Sequence, residues 1–150
     1  MSLSNQVMDA MKTAMKSKDT MALQALRSVK SAILLAQTES GAKENLTEEQ
    51  ELKLLQKLVK QRKDSAAIFN EQGRADLAEP ELAEAKVIEV FLPEQMSEEE
   101  VATIIDEIIA QTGAASMKDM GKVMGMANGK LVGKSDSKTI STLVKQRLTN

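Results

Sequence analysis

"FLPEQMSEEEVATIIDEIIAQTG", Phe91 to Gly113, holds a helix stop, a helix start, an apolar face and a second stop. Pro93 has no amide hydrogen and restricts Leu92, so a helix arriving from upstream ends there. Ser97-Glu98-Glu99-Glu100 reads as a capping box, with its carboxylates at the positive end of the helix dipole. Val101, Ile104, Ile105, Ile108 and Ile109 recur three and four apart and so share one helical face. Gly113 can take the left-handed conformation that closes a helix. The stretch predicts helices on both sides of a break.

The same pattern extends outward. Leu3, Val7, Met8, Met11 and Met15 mark a first helix over about Leu3 to Lys16. Asp19 is placed to cap a second, which carries Leu23, Leu26, Val29, Ile33 and Leu34 and fades near Ser40-Gly41. The loop "ESGAKEN" follows. Thr47 to Gln50 forms a capping box for a long third helix with Leu52, Leu55, Val59, Arg62, Ala66 and Phe69 in its stripe, ending at Gln72-Gly73. Arg62 is the one polar member of that stripe. A fourth helix runs up to "KVIEVFLP", and Pro80 is expected as its first helical residue.

Downstream, Ser116 to Asp119 caps a short helix with Met117, Met120, Val123 and Met124, expected to end at Asn128-Gly129. A loop, "GKLVGKSD", leads to a last helix with Ile140, Leu143, Val144 and Leu148. No strand-like alternation persists anywhere. The fold expected is all-α, with two helical subdomains. Residues 1–92 supply about four helices, and residues 93–150 form a compact three-helix unit.

The 150 residues include 42% hydrophobic and 28% charged residues of mixed sign, a balance that sustains a core and argues against disorder. Cys and His are both absent, which removes thiolate nucleophiles, the commonest metal ligand and the usual proton shuttle near neutral pH. A cofactor or metal site is not expected. Phe69 and Phe91 are the only aromatic residues, so stacking bases on a row of rings is nearly excluded. No run is long enough to span a bilayer, and the N-terminus lacks a secretory pattern. These features fit a cytoplasmic protein.

No catalytic constellation emerges. An amidase needs an activated nucleophile. Ser116 and Lys118 are two apart and point to different faces, and Ser135 reads as a cap. "GKLVGKS" at Gly129 to Ser135 echoes a phosphate loop, but Asn128 stands where that motif needs Gly and no strand precedes it.

Charge is polarised within the C-terminal unit. From Gly113 onward, Lys118, Lys122, Lys130, Lys134, Lys138, Lys145 and Arg147 face only Asp119 and Asp136, a net of +5. Residues 94–112 hold six acids and no Lys or Arg. Lys118 and Lys122 lie one turn apart. Gly121 and Gly125 offer backbone that a phosphate can approach, and also suit close approach of two helices. Two helix starts, near Ser116 and Asp136, would add amides and dipole. Lys130 and Lys134 are expected on the loop between them. Lys118, Lys122, Lys130, Lys134, Lys138, Gly121 and Gly125 are therefore the candidate RNA-binding residues. The plainer alternative is a solvated face that neutralises the acidic helix beside it.

Several stretches also resemble a known family. "LRSVKSA" (Leu26 to Ala32), "KQRKDS" (Lys60 to Ser65), "GRADLAEPE" (Gly73 to Glu81), "FLPEQMSEEE" (Phe91 to Glu100) and "TGAASMKDMGKVMG" (Thr112 to Gly125) are similar to the YqeY family, stand-alone proteins carrying the GatB/YqeY domain. The resemblance spans essentially the whole chain. It implies an all-helical fold in two subdomains. It also implies kinship with the tail of the B subunit of glutamine-dependent tRNA amidotransferase, which helps hold the tRNA while the chemistry occurs elsewhere. A non-catalytic protein that binds tRNA or another structured RNA is the function expected, with no membrane and no DNA partner. A module docking on a tRNA-linked enzyme is the alternative. An amidotransferase-like carbon–nitrogen ligase using glutamine is a third reading.

Overall fold

The computed structural model describes residues 2–39, 41 and 46–149. Among them are seven α-helices, one short 3-10 turn and no strand. The helices gather into two compact units, one ending at Leu92 and the other beginning at Pro93.

In the first unit, α1 (Leu3–Ser17) starts at Ser2, whose hydroxyl accepts the Asn5 amide. It stops at Lys18, a non-glycine residue at φ 58°. That conformation costs roughly 1–2 kcal/mol for an L-residue. The Lys18 and Asp19 amides answer it by bonding to the Met15 and Ala14 carbonyls. Asp19 then caps α2 (Thr20–Glu39), accepting from the Ala22 amide at 3.1 Å. Ser40 and residues 42–45 of the expected loop lie outside the described residues. The Thr47 capping box is made in both directions, at 3.2 and 2.9 Å, and opens α3 (Glu48–Glu71). Gly73, at φ 73°, turns the chain into α4 (Ala75–Glu89).

Pro80 sits inside α4 and is not its first residue. The turn at Gly73 and Arg74 leads straight into helix, with the Leu77 and Ala78 amides already bonded to the Arg74 carbonyl. Proline at the sixth helical position withholds the amide that the Asp76 carbonyl would accept. Both residues are exposed, so water can replace it. The helix also stops at Glu89, three residues short of Leu92, because the Phe91 and Leu92 amides tighten onto the Ile88 and Glu89 carbonyls.

Val7, Leu26, Val29, Leu55 and Ile88 lie at the centre of this unit's core. Fully burying each such side chain is worth about 1.5–3 kcal/mol. Three residues expected on the core face are not there: Met8, Met15 and Leu34 are 40%, 53% and 55% exposed. On α1 the buried stripe is Leu3, Val7 and Ala14, so alanine takes the inward position beside Met15. Arg62 keeps its place in the α3 stripe by pairing with Glu84 of α4.

In the second unit, α5 (Glu98–Thr112) packs against α6 (Met120–Leu131) and α7 (Ser137–Thr149), with a 3-10 turn over Met117–Asp119 between α5 and α6. Val101, Ile105, Ile108, Val123, Ala127, Leu131, Ile140, Val144 and Leu148 form the core. The Ser97 hydroxyl accepts the Glu100 amide at 3.2 Å, but the Glu100 carboxylate accepts that hydroxyl's proton instead of the Ser97 amide, so the box is half made. Gly113 closes α5 at φ 68°.

α6 runs through Asn128-Gly129, where the sequence predicted its end. Leu131 is fully buried and holds the last turn in helix, and the left-handed residue comes at Gly133, φ 76°. The segment before α5 is tied to that same bend. The Met96 amide bonds the Lys134 carbonyl at 2.9 Å, and the Gln95 side-chain amide bonds the Gly133 carbonyl at 2.6 Å.

Candidate nucleic-acid interface

The candidate residues fall on the second unit. Lys118 is in the 3-10 turn, Gly121, Lys122, Gly125 and Lys130 are on α6, Lys134 is in the α6–α7 loop, and Lys138 is in the first turn of α7. All seven are exposed. Lys130 therefore belongs to the last turn of a helix and not to the loop, as a direct result of α6 reaching Leu131.

Gly121 and Gly125 do not mediate close packing. A Cβ built at Gly121, Gly125 or Gly129 would meet nothing within 4 Å. The reason is register. The buried residues of α6 are Val123, Ala127 and Leu131, each four apart. The three glycines are also four apart but offset by two residues, about 200° around the helix, so they line the opposite, outer face. Together they form a bare ridge about 12 Å long at 1.5 Å rise per residue. Gly129 is a member that sequence reading missed, because Asn-Gly reads first as a terminator. Its four-residue spacing from Gly125 was the available signal.

This ridge has an energetic cost without an internal return. Glycine in a helix interior is less stable than alanine by about 0.5–1 kcal/mol per residue. Gly125, in mid-helix, carries that cost in full, and Gly121 in the first turn and Gly129 in the last carry less of it. None is at a positive φ, and none relieves a contact. What the ridge does provide is exposed peptide backbone that another molecule can reach closely.

None of Lys118, Lys122, Lys130, Lys134 and Lys138 forms a salt bridge with a described residue, and Lys122 follows Gly121 by about 100° around the helix, beside the ridge. Arg147 is different. Its Nε donates to Asp106 on α5 at 2.8 Å, which takes it out of the free positive charge. Lys138 stands in the first turn of α7, where the helix dipole disfavours a cation by a few tenths of a kcal/mol. Helix stability therefore does not account for its charge. Lys130, in the last turn of α6, is favoured by the same dipole and has that structural reason.

Both helix starts already have some of their amides taken by side chains. Asp119 accepts the Ala115 and Ser116 amides at 3.0 and 3.3 Å, and the Ser116 hydroxyl accepts the Lys118 amide at 3.4 Å. Asp136 accepts the Thr139 amide at 2.7 Å. Those bonds from Ala115 and Ser116, with a smaller pull from Lys122, hold the Asp119 carboxyl below its ordinary range. Each start thus carries a carboxylate of its own, which disfavours a phosphate beside it. What remains is a set of exposed lysines on the unit that also carries the low backbone ridge. Such a surface can neutralise phosphates, and it has no ring on which to stack a base, since Phe69 and Phe91 both belong to the first unit.

The geometry defines a small three-helix unit whose α6 turns three glycines outward, away from its core. Residues 4–148 match the family described as YqeY, Yqey-like protein, and the chain belongs to that family. It is 36% identical over 109 residues to the E subunit of glutamyl-tRNA(Gln) amidotransferase from Thermococcus gammatolerans, a match covering 70% of this chain and 17% of that one. It is also similar to "Altered inheritance of mitochondria protein 41, mitochondrial" from two further organisms. Identity is 40% over 82 residues in Clavispora lusitaniae, covering 55% of this chain and 46% of the relative. In Meyerozyma guilliermondii it is 35% over 129 residues, covering 82% and 65%. The chain thus spans less than two thirds of the length of each of these relatives. No helix among the described residues is long and apolar enough to cross a membrane.

Proposed function

We propose that this protein binds structured RNA, tRNA foremost, through the outer face of α6 and the lysines around it, and that it performs no chemistry on what it binds. The observation that carries the reading is the glycine ridge of Gly121, Gly125 and Gly129, open to solvent in a unit whose lysines at 118, 122, 130, 134 and 138 are all exposed. A structure that gives up helix stability on its outermost face has kept that face for something outside itself. Lysines act as point charges on phosphates and fix position without reading sequence. The Thermococcus relative carries glutamyl-tRNA(Gln) in its name, which supports tRNA as the RNA class. A cytoplasmic setting is part of the proposal, although two relatives carry a mitochondrial name.

A second reading has its own observation. The match occupies 17% of a subunit named for an amidotransferase, so a separate chain of this kind could dock on a tRNA-linked enzyme in place of such a segment. Titration of labelled tRNA, from low to physiological salt, separates the two. Direct RNA binding gives an affinity that falls steeply with salt, because released counterions drive it. A docking module shows no saturable tRNA binding alone and acquires it only with the enzyme present. The third reading, a glutamine-dependent ligase, requires glutamine-dependent ammonia release from the purified chain.

A further inference from the structure

We draw no further inference here: the strongest candidate, the cavity of about 400 Å³ between the N-terminal ends of α1 and α3, has its two carboxylates, Glu48 and Glu51, accounted for by the helix ends beside them, and nothing in the structure shows what fills it.

Discussion

Arg62 of α3 and Glu84 of α4 meet at 3.1 Å with side chains only 13% and 14% exposed, so the one charged residue in the α3 stripe has its counter-charge on the facing helix. Arg62 also donates to the Leu58 carbonyl at 3.3 Å. The neighbouring pair, Lys63 with Glu89, is much more exposed. The two pairs should behave differently. Glu84→Ala leaves a largely buried guanidinium short of a partner and is expected to lower stability by about 2 kcal/mol. Replacing both partners, Arg62→Leu with Glu84→Leu, should recover much of that loss. Glu89→Ala should cost under about 1 kcal/mol. Urea unfolding of these variants reads the values directly. Equal losses at Glu84 and Glu89 would mean that the burial difference has no energetic weight.

The glycine ridge makes a prediction of unusual sign. Gly125→Ala should raise stability by about 0.5–1 kcal/mol, and Gly121→Ala and Gly129→Ala, in the end turns, by less, because a methyl group improves the helix and meets no neighbour. The sequence alone suggested the reverse at Gly121, a packing contact that a larger side chain would spoil. A loss of stability in thermal unfolding would restore that view. Under the proposed function, the stabilised triple variant should bind tRNA more weakly, since its backbone is held further away.

Much of the fold was legible from sequence, for identifiable reasons. Asp19, Thr47, Ser97 and Gly113 act at helix ends, where one side chain or one φ angle decides the outcome locally. Pro80 and Asn128-Gly129 were misread because those same local signals were overruled. In α6, burial of Leu131 outweighs a terminator two residues earlier. In α4, the turn at Gly73 sets the helix going before proline is reached. The site was partly legible. Lysine identity and exposure follow from composition. Which way the glycines face depends on register against α5 and α7, and whether a helix-start amide is free depends on which carboxylate reaches it first.

Two carboxylates should give opposite pH responses. The folded state depresses the Asp119 carboxyl through its bonds from the Ala115 and Ser116 amides. Its contribution is therefore present above the unfolded carboxyl's ordinary range and is lost as pH falls through the depressed folded value. Glu51 is shifted upward, chiefly by burial and also by Glu48, against a bond from the Leu3 amide. Its folded state favours the protonated form, so its contribution is present at acid pH and lost as pH rises through the raised value. Asp119→Asn should thus lower stability at neutral pH, with a difference that vanishes in strong acid. Glu51→Gln should raise stability at neutral pH and change little in acid. Unfolding midpoints measured from acid to neutral pH would decide both, and a parallel response of the two variants would contradict the assignments.

The unit beginning at Pro93 should fold when expressed alone. Its core residues all come from its own three helices, and its leading segment is tied down by the Met96 and Gln95 bonds to the bend at Gly133 and Lys134. Circular dichroism of a fragment covering 93–150 should show a helical spectrum and a cooperative melt. A featureless spectrum would mean that this core is not self-sufficient.

The decisive test of the interface is charge reversal at Lys118, Lys122, Lys130 and Lys134. All four are exposed and none holds a salt bridge with a described residue, so their replacement by Glu should lower the thermal midpoint only slightly, through Lys130 at the end of α6 and Lys122 near Asp119, and leave the fold intact. The tRNA affinity should fall, and its dependence on salt should flatten by about 0.7–0.9 unit of log–log slope for each phosphate contact removed. Lys145→Glu on α7 and a neutral change at Arg147, which is already paired with Asp106, serve as comparisons. Reversing Lys145 tests whether any lysine on this unit would do, while Arg147→Gln should alter the slope little. If the quadruple variant kept both affinity and slope, the basic face would be a solvated surface, and the docking reading would take its place.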